Sequence, residues 1–316
     1  MDTTFFSRDE LLACHQKIQP YVHRTPVLSS RSIDREVGAE VFFKCENFQR
    51  AGSFKIRGAT HAVVCLSDQQ KQKGVVAHSS GNFAQAVALA SHGAGTKACI
   101  AMPSSAPQVK MDATAAYGGE IVVTAPTAEA REAAADKIVL ERGAAFLHPS
   151  NDINVILGQG TAAMELFEDH NDLDLLVVPV GGGGLIAGCS LVAHYFGNGC
   201  QTIGAEPMAA DDAYRSLQSG KIEFNDTTDT ICDGLRTFLG DNNFPIIRKF
   251  VDQIIRVEED EIVNSMKLIW QRMKIIIEPS CAVTLAAIRR EPDLFAGKKV
   301  GVILTGGNVD LGDLPF

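Results

Sequence analysis

Short apolar runs alternate along the chain with longer, mixed stretches. Runs at 41–45, 75–77, 98–101, 121–123, 175–178, 202–205 and 300–304 are rich in Val, Ile, Leu and Ala and carry few polar residues. That pattern predicts strands covered on both faces, as in a parallel sheet. The segments at 56–66, 82–92, 107–117, 128–142, 184–195 and 259–272 predict the intervening helices. Ahead of them, Ser7 and Glu10 form a capping-box signature for a helix carrying Leu11, Leu12 and Ile18. Strand–helix alternation of this kind indicates an α/β fold with helices on both sheet faces. The chain has no internal repeat and no Ser/Pro linker, so two units would have to be interleaved rather than strung in series.

The stretch 175–205 contains no Asp, Glu, Lys or Arg, long enough to suggest a membrane span. Pro179 and four consecutive glycines inside it oppose a continuous helix, because interior Pro costs about 3 kcal/mol and each Gly about 1. It reads instead as a buried strand, a glycine loop and a buried helix. The opening residues 1–6 lack the basic and apolar regions of a signal peptide, and the last strand and its loop nearly exhaust the chain, so no appended regulatory domain is expected.

Composition narrows the function. The 316 residues include 29 Lys and Arg against 38 Asp and Glu, a net charge of −9. An acidic balance argues against nucleic acid or an anionic membrane as partner. The eight cysteines are scattered without a C-x-x-C pair, which fits reduced thiols in the cytoplasm better than a disulfide scaffold or zinc site.

In open parallel sheets, ligands bind beyond the carboxyl ends of the strands. Four such loops carry chemistry. Gly52-Ser53-Phe54-Lys55-Ile56-Arg57-Gly58 offers a lysine among apolar neighbours, a setting that lowers an amine pKa. His78-Ser79-Ser80-Gly81-Asn82-Phe83 offers hydroxyls, an amide and backbone N–H groups suited to a carboxylate or a polar ring substituent. Gly181, Gly182, Gly183 and Gly184 leave backbone amides unshielded ahead of a helix, which suits a phosphate. They match neither the dinucleotide fingerprint nor the P-loop, so a monophosphate is favoured. Thr305-Gly306-Gly307-Asn308 adds a hydroxyl. An amine, carboxylate anchors, a phosphate cup and a hydroxyl together suit pyridoxal 5'-phosphate.

These motifs in this order, with Gly306-Gly307-Asn308-Val309-Asp310 completing the last, resemble the serine racemase and serine/threonine dehydratase family. The resemblance spans nearly the whole chain. It implies fold type II of the pyridoxal-phosphate enzymes, related to tryptophan synthase β, with two interleaved three-layer α/β domains. Residues 1–69 plus 150–316 would form the large domain and 70–149 the small one, in a homodimer. Lys55 would hold the cofactor covalently and serve as base on one substrate face, with Ser80 as proton donor on the other. Phe54 would pack beside the ring, Asn82 would bond its 3-oxygen, Gly181 to Gly184 would hold the phosphate and Thr305 would face the pyridine nitrogen. Ser79, Ser80, Gly81 and Phe83 would line the substrate, a β-hydroxy amino acid. Glu206, Ala210 and Asp212 match the family's divalent-metal position, which its oxygen ligands suit to Mg²⁺, Ca²⁺ or Mn²⁺.

Three positions bear on the substrate, of which Arg131 matches a family position linked to substrate-carboxylate capture or domain closure. Phe83 stands where the family usually has histidine. Arg236, in Asp233-Gly234-Leu235-Arg236-Thr237, is either a second-carboxylate ligand for 3-hydroxyaspartate or a solvated residue. Arg131 is either a substrate-carboxylate residue or one half of a surface ion pair. Gln85 and Tyr117, with Arg50 in place of a lysine, match nucleotide-contact positions, so ATP is a candidate activator. The expected activity is serine racemisation and serine or threonine ammonia-lysis. Threo-3-hydroxyaspartate ammonia-lysis, a non-catalytic cofactor carrier or sensor, and a nucleotide-binding regulator are the alternatives.

Overall fold

Ser7 and Glu10 cap the first helix, Arg8–Ile18, as the local sequence demands: the Glu10 N–H donates to Ser7 Oγ (3.3 Å) while Ser7 N–H donates back to the Glu10 carboxylate (2.7 Å). The structure is a computed structural model that describes residues 6–316. The opening segment read above as lacking a signal peptide lies, but for Phe6, outside the described residues.

Ten strands form two sheets among the described residues. They are β1 (Val27–Leu28), β2 (Glu40–Cys45), β3 (Val75–His78), β4 (Ala98–Pro103), β5 (Glu120–Thr124), β6 (Ala145–Phe146), β7 (Leu175–Pro179), β8 (Gln201–Pro207), β9 (Gln253–Val257) and β10 (Lys299–Leu304). The six-stranded sheet runs β1-β2-β10-β7-β8-β9 and the four-stranded sheet β5-β4-β3-β6. Every pairing is parallel except β1 with β2. The fold is the expected α/β class with parallel sheets. The smaller sheet comes from one continuous stretch, whereas the larger takes strands from before and after it.

Every residue of β4 and β7 is buried, as is all of β10 but Lys299, the outcome expected of apolar runs covered on both faces. The uncharged stretch 175–205 resolves into β7, the glycine loop, the helix Gly184–Phe196 and most of β8. No helix among the described residues is long and apolar enough to cross a membrane.

The helix Lys55–Val64 begins at the lysine itself, one residue ahead of the expected start, and includes Gly58. Gly58 permits close packing on the helix Ile153–Asp169: a Cβ built at Gly158 would sit 2.6 Å from Gly58 Cα. Behind this contact lies a buried, charge-balanced network. The Arg57 guanidinium, fully buried, donates to both carboxylate oxygens of Glu46 (2.7 and 2.8 Å) and both of Glu165 (2.8 Å each). Lys44 Nζ donates to Glu165 (2.6 Å) and to the Thr25 carbonyl (2.7 Å). Two cations thus meet two carboxylates, tying β2 and the two helices together. Buried charges are tolerated only when paired and hydrogen-bonded in this way.

Breaking the network exposes its cost. Arg57→Met leaves two buried carboxylates with Lys44 as their one cation and should reduce unfolding free energy by about 3–5 kcal/mol, read from urea denaturation. A loss below about 1 kcal/mol, the range of an exposed ion pair, would show that the network carries no such burden.

Candidate active site

The turn before Lys55 is bound to the chain that follows β10. Phe54 N–H donates to the Thr305 carbonyl (2.9 Å), Gly307 N–H to the Gly52 carbonyl (2.9 Å), and Ser53 pairs with Gly306 as an isolated antiparallel bridge. Asn308 Nδ2 donates to the Ala51 carbonyl (2.8 Å). Residues some two hundred and fifty positions apart therefore share one backbone surface, and it places Lys55 beside the end of the central strand.

Lys55 is half-buried. Its Nζ lies 3.2 Å from the Pro149 carbonyl, 5.0 Å from the Phe54 ring centroid and 5.9 Å from that of Phe83. Burial pushes the amine pKa down to about 8, against the opposing pull of the Glu278 carboxylate. His148 is driven down to about 4 by burial and by His78 and Lys55, so at neutral pH it is uncharged next to the amine. Phe83 is 2% exposed and packs within the apolar cluster of the smaller sheet, with Ile56, Leu147 and Val155.

Asn82 begins the helix Asn82–Gly93. Its Nδ2 donates to both oxygens of Glu278 (3.0 and 2.9 Å), and its Oδ1 accepts from Asn308 Nδ2 (3.0 Å). Glu278 is buried, and its pKa is raised to about 7 by desolvation, held from rising further by Lys110, by the Asn82 hydrogen bond and by Lys55. Thr305 is buried with its hydroxyl 3.2 Å from Cys281 Sγ.

The glycine loop is a tightly walled cup. A Cβ at Gly182 would lie 2.5 Å from Ser150 Oγ, one at Gly184 2.7 Å from the Ser150 carbonyl, and one at Gly181 2.9 Å from the Gly234 carbonyl. Gly183 has φ of +80°, a left-handed conformation that glycine adopts without strain. Asn243 Nδ2 braces the loop by donating to the Gly182 carbonyl (2.8 Å) and the Ser150 carbonyl (3.1 Å). Bare backbone amides at the start of a thirteen-residue helix are what a phosphate requires.

On the facing loop, Ser79 Oγ accepts from the Gly81 N–H (3.2 Å), and Ser80 is exposed. Lys110 Nζ would lie 3.2 Å from a Cβ on Gly81 and is ion-paired with Asp233. Burial would lower the Lys110 pKa, but Asp233 and Glu278 hold it above the usual value. Arg131 lies close enough to His78 to depress its pKa after burial has done so, and Arg131 Nε is buried without a partner. Arg236 is exposed and turned away onto a backbone carbonyl, its Nε 3.0 Å from the Thr230 oxygen.

Glu206, Ala210 and Asp212 lie at the end of β8, in the turn that follows it and at the start of the helix Asp212–Ser219. Glu206 accepts from Tyr214 N–H (2.6 Å), Asp212 Oδ1 accepts from Asn225 (2.7 Å), and Asp212 Oδ2 is buried without a partner. Burial raises the pKa of Glu206 well above its usual value and that of Asp212 to about 6. Two buried carboxylates with an unpartnered oxygen fit a hard cation. No group of three His, Cys, Asp or Glu side chains gathers among the described residues, so backbone oxygen would have to complete such a site.

The structure thus brings Lys55, Phe54, Phe83, Asn82 and Thr305 into one connected set of contacts. Glu278, Cys281, Ser150, Asn243 and Lys110 join them without having been singled out from the sequence. Glu278 precedes, and Cys281 follows by two residues, the Pro that opens the helix Pro279–Arg290, the one local signal that could have drawn attention to them.

Comparison with known proteins points to one enzyme family. The model of the pyridoxal-phosphate dependent enzyme family matches residues 18–306. A β-hydroxyaspartate dehydratase of Paracoccus denitrificans is 46% identical over 308 residues, 98% of each chain. A serine racemase of Oryza sativa is 46% identical, covering 94% of this chain and 89% of its own. The structure of maize serine racemase superposes with a TM-score of 0.94 at 45% identity, over 96% of this chain and 94% of that one.

The lowered pKa of Lys55 gives a measurable signature. Only the free amine attacks an aldehyde, so the rate at which apo-protein reacts with pyridoxal phosphate should rise about tenfold between about pH 7 and 9 and then level off. Glu278→Gln removes the carboxylate that favours the ammonium and should move the midpoint lower. A rate still climbing in proportion to hydroxide at pH 10 would be that of an ordinary exposed lysine.

Proposed function

The chain belongs to the pyridoxal-phosphate dependent enzymes, and we propose on that premise that it acts on β-hydroxy amino acids as a racemase and ammonia-lyase. The observation that carries the reading is the half-buried Lys55 amine, held between Phe54 and Phe83 beside the 79–82 loop. The cofactor fits the residues present: a glycine cup that no other side chain could line, an amine of lowered pKa and a buried hydroxyl. Pyridoxal phosphate, when bound, supplies the electron sink for the pair left at Cα.

The chain's own groups do the rest. Gly181 to Gly184 would hold the phosphate, Phe54 would pack against the ring, Asn82 would turn its Nδ2 from Glu278 to the 3-oxygen and Thr305 would face the nitrogen. Ser79, Ser80 and Gly81 bind the substrate carboxylate through hydroxyls and N–H groups, with Phe83 beneath them. Lys55 takes the α-proton at Nζ. Loss of the β-hydroxyl as water, then hydrolysis, releases a keto acid and ammonia. Delivery of a proton by Ser80 to the opposite face yields the other enantiomer. Because Thr305 is a neutral hydroxyl rather than a carboxylate, it would not hold a proton on the ring nitrogen, which would favour rapid elimination over transamination.

A second substrate, 3-hydroxyaspartate, is supported by the Paracoccus relative and by Arg131, whose unpartnered Nε could receive a distal carboxylate; Arg236 would have to leave Thr230 to do so. We also propose a homodimer in the cytoplasm, domains at 1–69 plus 150–316 and 70–149, a divalent cation such as Mg²⁺ on Glu206, Ala210 and Asp212, and ATP as activator near Gln85, Tyr117 and Arg50.

Proton NMR in deuterated water, with serine, threonine and both 3-hydroxyaspartates, tests the reading in one assay. Keto acid, α-deuterium exchange and the opposite enantiomer should appear together for at least one substrate. Ser80→Ala should suppress enantiomer formation about 100-fold, the usual worth of a positioned proton donor, while keto acid still forms. Coloured protein inert toward all four would instead support a carrier or sensor.

A further inference from the structure

Seven of the eight cysteines are buried, and Cys65 is exposed. It caps the C-terminal end of the helix Lys55–Val64, about 15 Å from Lys55 at 1.5 Å per helical residue. Its sulfur lies 3.4 Å from His61 Nε2 and 3.6 Å from Lys17 Nζ. His61, one turn earlier, is buried, and its Nδ1 is 2.9 Å from the Asn154 carbonyl. A carbonyl only accepts, so Nδ1 carries the proton of the neutral ring and Nε2 presents a bare lone pair to the thiol. Burial, with help from Lys17, holds the His61 pKa below its ordinary value against the Asn154 hydrogen bond and Asp152, so the ring is neutral at pH 7.

A thiol, a base within hydrogen-bond reach and a third group that orients the base are the parts of an activated nucleophile. Cations stand beside them. Lys17 reaches the sulfur from the helix Arg8–Ile18, and Lys71 Nζ donates to the carbonyl of the preceding residue, Val64 (3.4 Å). Cys14, the other thiol that feels Cys65, is buried and keeps its proton, its pKa raised mainly by desolvation. We propose that Cys65 is a modification site for small anionic disulfides, with His61 Nε2 as the base and Lys17 as the cation that draws the reagent in. As the sulfur attacks, its proton passes to Nε2, an S–S bond forms to one half of the reagent and the reagent's own S–S bond breaks. Cys65 is oxidised, and the departing half leaves with the electron pair as a thiolate, to which Nε2 returns the proton through solvent. None of these residues belongs to the set around the Lys55 amine, so the inference does not depend on the proposed reaction.

The test treats the holoenzyme with dithiobis(nitrobenzoate), a dianionic disulfide, follows release of the coloured thiolate and maps the adduct by peptide mass. A single fast phase should appear with its label on Cys65, and Cys65→Ser should abolish it. An unassisted thiol is only about 3% ionised at pH 7, which leaves the pair room to accelerate the reaction up to about thirtyfold. His61→Gln should therefore slow the phase about tenfold at pH 7 and leave it unchanged at about pH 10, where the thiol ionises without help. Lys17→Met, on the surface, should slow the anionic reagent about fivefold, the worth of one neighbouring charge in water, and should not slow cystamine, a cationic disulfide.

No fast phase, or a label on another cysteine, would overturn the proposal. Equal rates for His61→Gln and the parent at pH 7 would overturn it too, since Cys65 would then be an exposed thiol that merely ends a helix. Should His61→Gln fail to fold, Lys17→Met decides alone: an unchanged preference for the anionic over the cationic reagent contradicts the assignment.

Discussion

The antiparallel contact between the 52–54 turn and the 305–307 segment is the constraint on which the site depends. Its backbone hydrogen bonds are indifferent to side-chain identity, yet they decide which side chains meet. Because Phe54 N–H is spent on the Thr305 carbonyl, the helix that starts at Lys55 must leave from the end of β10. The amine and the Thr305 hydroxyl therefore belong to one rigid surface. The Arg57 network holds the same helix from behind, and the Gly58–Gly158 approach sets its depth. A side-chain amine on a flexible stem becomes a group with a fixed origin.

Charge is balanced around that surface. Lys55 and Lys110 share this region with Glu278 and Asp233, and burial acts on Lys55, Lys110 and Glu278 in the direction that disfavours each charge. Lys55 yields, with its pKa falling toward neutrality, because its carboxylate partner is shared. Lys110 does not, because it is paired directly with Asp233. The two lysines have the same chemistry and opposite fates. Only the one that can lose its proton near neutral pH is suited to nucleophilic and basic work. Thr305, a buried neutral hydroxyl, adds no charge at the end of β10.

Much of this was legible in the chain. Parallel strands buried on both faces announce themselves as apolar runs, and the ligand loops follow their carboxyl ends. What escaped had physical reasons. β1 and β6 are two residues long and show no period. The helices Ile153–Asp169 and Pro279–Arg290 are buried on nearly every side, so they lack the polar face that marks a helix. Glu278 and Cys281 are ordinary residues locally; their importance arises from contacts with Asn82 and Thr305, far away along the chain. Arg236 could be read as a ligand because its neighbours place it near the loop, but a nearby backbone carbonyl holds it instead.

The central claim is that the Lys55 amine is the group that bonds the cofactor. Reducing the holoenzyme with borohydride and mapping its peptides tests this directly. The account predicts a single pyridoxyl label, on Lys55, with Lys110 and the other lysines unmodified. A label on another lysine, or a reduced protein with none, would contradict it.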